Sequence, residues 1–433
     1  MRKNAKITKV LVLFYSSFKS PRLEYVLNYL FNQRLGLEYT WINTLESPDI
    51  ESKIHISYSD SSFKHAWNIQ PDNLLKDSQI SESVHTQNYK NLNNCNDPFA
   101  CIFFHLSRYE EYLTQYLDQH GRFPHQQSIL FISGEGIAQL PIVDLLVIQI
   151  ATQLSQILKT AVRPLDSPFG GTCPTLDIDS AFAYKGRSIY RQIGAISKDI
   201  LRFRWSECFK RLLVLGKLKN DPNDNFDYQQ SVLGNTKAHY FIQCGPFGKF
   251  DKNIPLSNPD FQAIIRRLIH NGHEIGLHPS YGSDSHTDKI LQEKKLLEST
   301  FQIRVKHSRQ HFLKMRMPQT YRALIACGIE FDWSMGYSEE YGFRAGTAAP
   351  FKWFDLEKNC STMLTIVPFF VMDVVFKQFK ALNPAQTIEL TLEMKQWLKA
   401  NNLPFVFVFH NESLSQHRGW KGWSLVFEKW VKG

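Results

Sequence analysis

Two carboxylates spaced two apart, Asp177 and Asp179, close the apolar run Cys173-Pro174-Thr175-Leu176. On a β-strand alternate side chains share a face, so both acids can reach one site. One carboxylate could then hold a cation while the other takes a proton from water. Some hundred residues on, the stretch Gly272-His-Glu-Ile-Gly-Leu-His278 brings a histidine to the end of a second short apolar run. Carboxylates and a histidine at strand ends are the donor set of a metal-dependent hydrolase.

Each of these residues also has a plainer reading. A carboxylate pair after a strand can cap a helix or bind calcium loosely. Burying two carboxylates without a cation would raise one pKa sharply, which favours the catalytic pair. His273 and Glu274 belong to a turn. His410 ends the run Phe405-Val-Phe-Val-Phe409 and could protonate a leaving group, and His311 is placed similarly or is a half-buried strand-end histidine. Arg309 and Arg344 match carboxylates in shape and charge, and Gly342-Phe-Arg-Ala-Gly346-Thr reads as a tight loop that needs its glycines.

The elements that must position these residues alternate. Strand patterns fall at 174–178, 239–243, 274–278, 305–310, 329–333, 362–367 and 404–409, with helical patterns at 188–216, 259–271, 287–300, 317–327 and 385–401. Seven strands alternating with helices predict a parallel α/β architecture, for which an irregular (β/α) barrel is the closed form. Chemistry in such folds gathers at the C-terminal strand edge. Ahead of it, 7–14, 22–33 and 37–42 read as strand, helix and strand, 60–98 as irregular, Phe99–Phe104 as a strand and 141–160 as a long helix. Arg163-Pro164 to Gly170-Gly171 marks a boundary between an α/β accessory domain, 1–165, and the barrel, 172–433.

At 433 residues, 43% hydrophobic and 21% charged, the chain has room for two or three globular domains. Basic Met1-Arg2-Lys3 followed by Val10–Phe14 has the charge order of a secretory leader. The apolar run is shorter than the roughly 7–15 residues a leader needs, and none approaches the ~20 that span a bilayer. Seven scattered cysteines form no Cys-x-x-Cys pair, so reduced thiols and a cytoplasmic setting are expected. The net charge of +9 is dispersed and accompanies no nucleic-acid module, so a solvated face, with an anionic glycan as a weaker alternative, is expected rather than nucleic-acid binding.

Over about 172–412 the sequence resembles the polysaccharide deacetylase family, carbohydrate esterase family 4, with its NodB-homology domain. Thr175-Leu-Asp177-Ile-Asp179 looks like the spaced form of its first motif, Gly272–His278 like the first part of its second, and Arg309-Gln-His311 like its Arg-x-Pro. Asp332-Trp333 resembles its aspartate-tryptophan motif and Phe409-His410 its last. The overall pattern resembles a bacterial branch of the family with an extra N-terminal domain.

That resemblance implies removal of N-acetyl groups from a sugar, polysaccharide or lipid-linked glycan, with a divalent cation, Zn²⁺ in the first instance. By similarity Asp177 is the general base, Asp179 and His278 bind metal, and His410, oriented by Asp332, protonates the amine. Arg309 or Arg344 would hold Asp177 ionised, and Trp333, Tyr337 and Phe343 would contact sugar, with Trp420 and Trp423 as further stacking candidates. Gly282 stands where the family has its second-motif histidine. The third ligand is therefore His311, His286 or water, with His311 preferred because strand ends hold ligands more precisely than loops. If metal were lost with that histidine, the chain would be a glycan-binding pseudoenzyme or assembly subunit.

Overall fold

A computed structural model describes residues 11–45, 51–134 and 136–433. Residues 7–10 of the expected first strand lie outside this set. The first four strands, β1 (Leu11–Ser16), β2 (Glu38–Ile42), β3 (Ile56–Tyr58) and β4 (Trp67–Ile69), pair in parallel in the order β2-β1-β3-β4. The remaining nine are β5 (Thr172–Ile178), β6 (His239–Ile242), β7 (Glu274–Leu277), β8 (His307–Ser308), β9 (Phe331–Asp332), β10 (Phe351–Asp355), β11 (Cys360–Ile366), β12 (Val371–Met372) and β13 (Phe405–His410). They form one sheet in the order β10-β11-β9-β8-β7-β6-β5-β13-β12, parallel throughout except for β10 against β11.

The central seven strands are those expected from the sequence, and β10 and β12 extend the sheet at its ends. β11 and β12 stand seven places apart, which on a flat sheet is about 34 Å. The five residue steps from Ile366 to Val371 reach at most about 18 Å, so the sheet must curl. Val367 N–H donates to the Asp332 carbonyl at 2.8 Å and Phe370 N–H to the Val406 carbonyl at 3.0 Å, which ties the linking segment to both sides. No ladder joins β10 to β12 among the described residues. The curl encloses a small core that includes Phe241, Trp333, Phe369, Val406 and Val408, distinct from the larger core under the helices.

Register sets the working edge. His410 pairs opposite Asp177, Asp177 opposite Phe241, Ile242 opposite Leu277 and Leu277 opposite Ser308. Residues just past those positions therefore share one rim: Asp179, Gln243, His278 and His311.

Several expectations are corrected. Phe99–Phe104 is helical, within Pro98–Leu106. A short run apolar on every side fits a buried helix as well as a strand. Pro98 at the first turn and the Asp97 carboxylate, accepting from the Phe99 and Ala100 N–H groups at 3.0 Å each, decide for the helix. Cys95 and Cys101 are joined as a disulfide, so the reading of seven thiols fails for that pair. The helix expected over 188–216 breaks into Ile189–Leu201 and Trp205–Leu215. No helix among the described residues is long and apolar enough to cross a membrane.

The Gly342–Thr347 loop joins the two sheets' units. Gly342 (φ 136°) and Gly346 (φ 63°) take backbone angles that favour glycine, and a Cβ on Gly342 would collide with the Ala138 carbonyl. Phe343 N–H donates to Ala138 O, Val143 N–H to Gly346 O, and buried Asp144 accepts from Thr347 and Ala348.

Candidate metal centre and acid–base pair

Asp179, just beyond β5, is approached by three imidazoles. Nε2 of His278 lies 3.0 Å from its Oδ1, and Nε2 of His311 and of His410 lie 3.5 and 3.8 Å from its Oδ2. The donor atoms of Asp179, His278 and His311 all fall within 4.8 Å of one another. His278 Nδ1 donates to the Arg309 carbonyl at 2.6 Å, and His311 Nδ1 faces the Asp251 carboxylate at 3.0 Å. The carbonyl places the proton of His278 on Nδ1 and aims its Nε2 lone pair at Asp179, while His311 Nδ1, which also has Gln243 Nε2 at 2.9 Å, is held so that its Nε2 turns to Asp179. Asp179 Oδ1 is buried and lacks a hydrogen-bond donor, although His278 Nε2 stands 3.0 Å away. Two acceptors facing each other without a proton between them suit a shared cation, so the residues fit a divalent metal.

Protons can take the place of a cation in the same group. Burial would raise the Asp179 pKa, but His311 chiefly, with His278, holds it well below the usual carboxylate range. Burial would lower that of His311, but Asp179 and Asp251 raise it to about 9. Protons and a cation therefore compete for the same atoms.

His311 sits in a turn where Phe312 (φ 62°) and Leu313 (φ 52°) are both left-handed, a conformation that costs non-glycine residues energy. Arg122 of the N-terminal unit donates to the Phe312 carbonyl at 3.0 Å and helps hold it. His120 joins Phe250, Tyr281 and Phe312 in a half-buried aromatic cluster on this rim, with its Nδ1 3.0 Å from the Tyr281 hydroxyl.

Asp177 meets the fully buried Arg309 at 2.8 Å. Arg309 is fixed in turn by its bond to the Trp333 carbonyl at 3.0 Å and by the Phe241 ring 4.5 Å from its guanidinium carbon. Across the group, His410 Nδ1 lies 2.8 Å from Asp373 Oδ1 and its backbone N–H donates to Oδ2 of the same residue. Burial would lower the His410 pKa, but Asp373 foremost raises it to about 10; a cation held by Asp179 would pull it back down.

The structure therefore brings together Asp177, Asp179, His278, Arg309, His311 and His410. Asp332 does not orient His410; Asp373 does. Asp332 accepts from Ser334 N–H and Oγ at 3.0 and 2.8 Å, and Ser334 Oγ accepts from the Gln310 N–H, so it shapes the turn behind His311. Burial raises the Asp332 carboxyl to about 6.

Arg344 is not at Asp177. It forks onto Glu111 of the N-terminal unit at 2.9 and 2.7 Å. Trp333, Tyr337 and Phe343 are buried in packing, against His239, against Ser128 and Phe131, and against Phe370 respectively, so none offers a face to a sugar. Trp420 and Trp423 are buried against each other. His286 is exposed before the helix Thr287–Phe301 and outside the group, and a Cβ at Gly282 would meet only Lys289.

Asp251, Gln243 and Asp373 escape a reading of the sequence. Gln243 Nε2 donates to Asp251 Oδ1 at 2.8 Å, and the Tyr281 N–H reaches the same oxygen at 2.9 Å. Asp373 had a faint signal, an acid ending the apolar run Phe369–Met372; Asp251 had none.

Comparison with known proteins gives a partial picture. Residues 12–159 match the model of a family of unknown function, DUF7033. No curated protein matches the chain. Among solved structures, a "putative polysaccharide deacetylase" from Mycobacterium smegmatis is 16% identical, over 61% of this chain and 85% of that one, with a TM-score of 0.39. A "probable Polysaccharide deacetylase" from Pseudomonas aeruginosa PAO1 is 11% identical over 61% and 87%, with a TM-score of 0.38. The chitin deacetylase of the fungal pathogen Colletotrichum lindemuthianum is 13% identical over 56% and 88%, with a TM-score of 0.27.

Proposed function

We propose that this chain is a metal-dependent hydrolase that removes N-acetyl groups from a sugar or polysaccharide. The observation that carries the reading is the placement of a carboxylate, Asp177, and a carboxylate-backed imidazole, His410, around Asp179, His278 and His311. The sequence motifs at those positions point the same way.

Asp179, His278 and His311 would hold a divalent cation, with Zn²⁺ the best match to two imidazoles and one carboxylate. When bound, that cation supplies a Lewis acid for the acetamide carbonyl and for water. Asp177, oriented by Arg309, removes the proton from the attacking water. His410, held by Asp373, delivers a proton to the nitrogen as the C–N bond breaks, giving acetate and a free amine. Asp251 fixes the His311 ring. The half-buried rings of Phe250, Tyr281 and Phe312 supply the flat apolar surface expected of a sugar subsite.

The test is metal content and acetate release from N-acetylglucosamine oligomers, for wild type and Asp179→Asn. About one zinc, cobalt or nickel per chain, lost in the variant together with acetate release, supports the hydrolase. Absence of metal after incubation with excess zinc replaces it with a glycan-binding pseudoenzyme. A cytoplasmic setting belongs to the same proposal; it requires that the Cys95–Cys101 bond of the structure be reduced in cells, and protein trapped from cells with that bond intact would refute it.

A further inference from the structure

Between β5 and β6 the chain leaves the sheet as a helical hairpin, Ile189–Leu201 and Trp205–Leu215, rooted at Asp221, whose carboxylate accepts from the Ala183, Tyr184 and Lys185 N–H groups. Its polarity is inverted. The residues it buries include Gln192, Asp199 and Arg211, and the Arg211 guanidinium bonds Gln192 at 3.3 Å and Asp199 at 3.1 Å across the two helices. Apart from buried Val214 and half-buried Ile196 and Leu213, its large apolar side chains face solvent, among them Ile189, Ile193 and Ile200 at helical spacing on the first helix, Phe203 in the turn (81% exposed), Trp205 (60%) and Phe209 (63%) on the second. A hairpin stable in water alone would be arranged the other way round.

Charge identifies what covers that face. The expectation of a dispersed charge is corrected here: residues 185–219 contain ten Lys and Arg against two Asp and Glu, a net +8, leaving +1 for the whole remainder of the chain. Arg191, Lys198, Arg202, Arg204, Lys217 and Lys219 stand exposed around the apolar side chains. Two copies meeting through this face would set +8 against +8. An anionic bilayer surface satisfies both features, since aromatic and aliphatic side chains enter the headgroup boundary while the basic ones meet phosphates. The helices, 13 and 11 residues long, are too short to span and would lie in the plane.

We infer that residues 185–219 dock the protein on anionic phospholipid membranes. The hairpin stands on the rim that carries the candidate site. It begins a few residues beyond Asp179, and its Glu207 accepts from Tyr184 Oη at 3.1 Å and pairs with His417 Nε2 at 2.8 Å, in the loop that follows His410. Docking would bring Asp177 and His410 towards the lipid surface. The inference stands apart from the hydrolytic reading.

The test is cosedimentation of the full-length chain with vesicles of equal parts phosphatidylglycerol and phosphatidylcholine, and with phosphatidylcholine alone. The protein should bind the mixed vesicles and not the neutral ones. Combined Phe203→Ser, Trp205→Ser and Phe209→Ser, all at exposed positions, should weaken binding by about an order of magnitude or more and leave metal content unchanged. Tryptophan emission should move to the blue on vesicle addition in wild type but not in Trp205→Phe, which still binds. No uptake by the mixed vesicles, uptake untouched by the triple serine variant, or a lipid-free dimer that the variant abolishes would each overturn the inference. Metal loading of the same samples reads the candidate site independently.

Discussion

His311 and Asp251 stand 3.0 Å apart, Nδ1 against Oδ1, with the opposite edge of the same imidazole turned to Asp179. The contact turns a histidine in a strained turn into an oriented donor. Asp251→Asn keeps the shape but loses the charge, and should weaken metal binding about 10- to 100-fold. Chelator competition checks this; unchanged affinity would remove Asp251 from the site.

Asp177→Asn should cut acetate release by about 10²- to 10⁴-fold while metal content stays at the wild-type level. Comparing turnover with elemental analysis of the same sample separates base from ligand. Near-wild-type turnover would show that Asp177 is not the base.

Asp373→Asn removes the charge that does most to raise the His410 pKa. A general acid works only while protonated, so the alkaline loss of kcat/KM should set in at lower pH in the variant, along with reduced kcat. A profile displaced only in height would assign Asp373 to structure alone.

Arg344→Ala should destabilise the fold by about 3–5 kcal/mol, because it takes a fork of two bonds from the buried Glu111 carboxylate and leaves Arg108 as its remaining partner. Urea unfolding measures the loss. Turnover per folded molecule should change little, since the guanidinium lies in the seam between units.

Acid should weaken the protein through His105. Its Nε2 bonds the Tyr89 carbonyl, its Nδ1 is buried without a partner, and burial pushes its pKa down to about 4. The unfolded chain takes up a proton near pH 6.5, whereas the folded one does not until about 4. Stability is therefore lost as pH falls through that window, by up to roughly 3 kcal/mol. Urea midpoints at pH 7 and 5 should differ less in His105→Gln. Some slope should persist, because burial also lowers His307 to about 4.

The sequence by itself determined the alternation of strands and helices and the rim residues closest to them. Asp177, Asp179, His278 and His410 end or follow apolar runs whose period shows in one dimension, and parallel pairing obliges such ends to meet. Arg309 and His311 were legible for the same reason. Tertiary structure decided everything that depends on which side chain lies across a gap. Asp251 and Asp373 orient histidines from a loop and from the residue after a two-residue strand, neither of which any periodicity marks. Arg344 and the Gly342–Thr347 loop turn to the N-terminal unit because Glu111, 233 residues away, offers the buried counter-charge. Trp333, Tyr337 and Phe343 vanish into packing, since aromatic residues near a site fill its walls as readily as they face its mouth. The outward apolar side of the 185–219 hairpin became visible only when the fold showed that its polar residues, held together by Arg211, face inward.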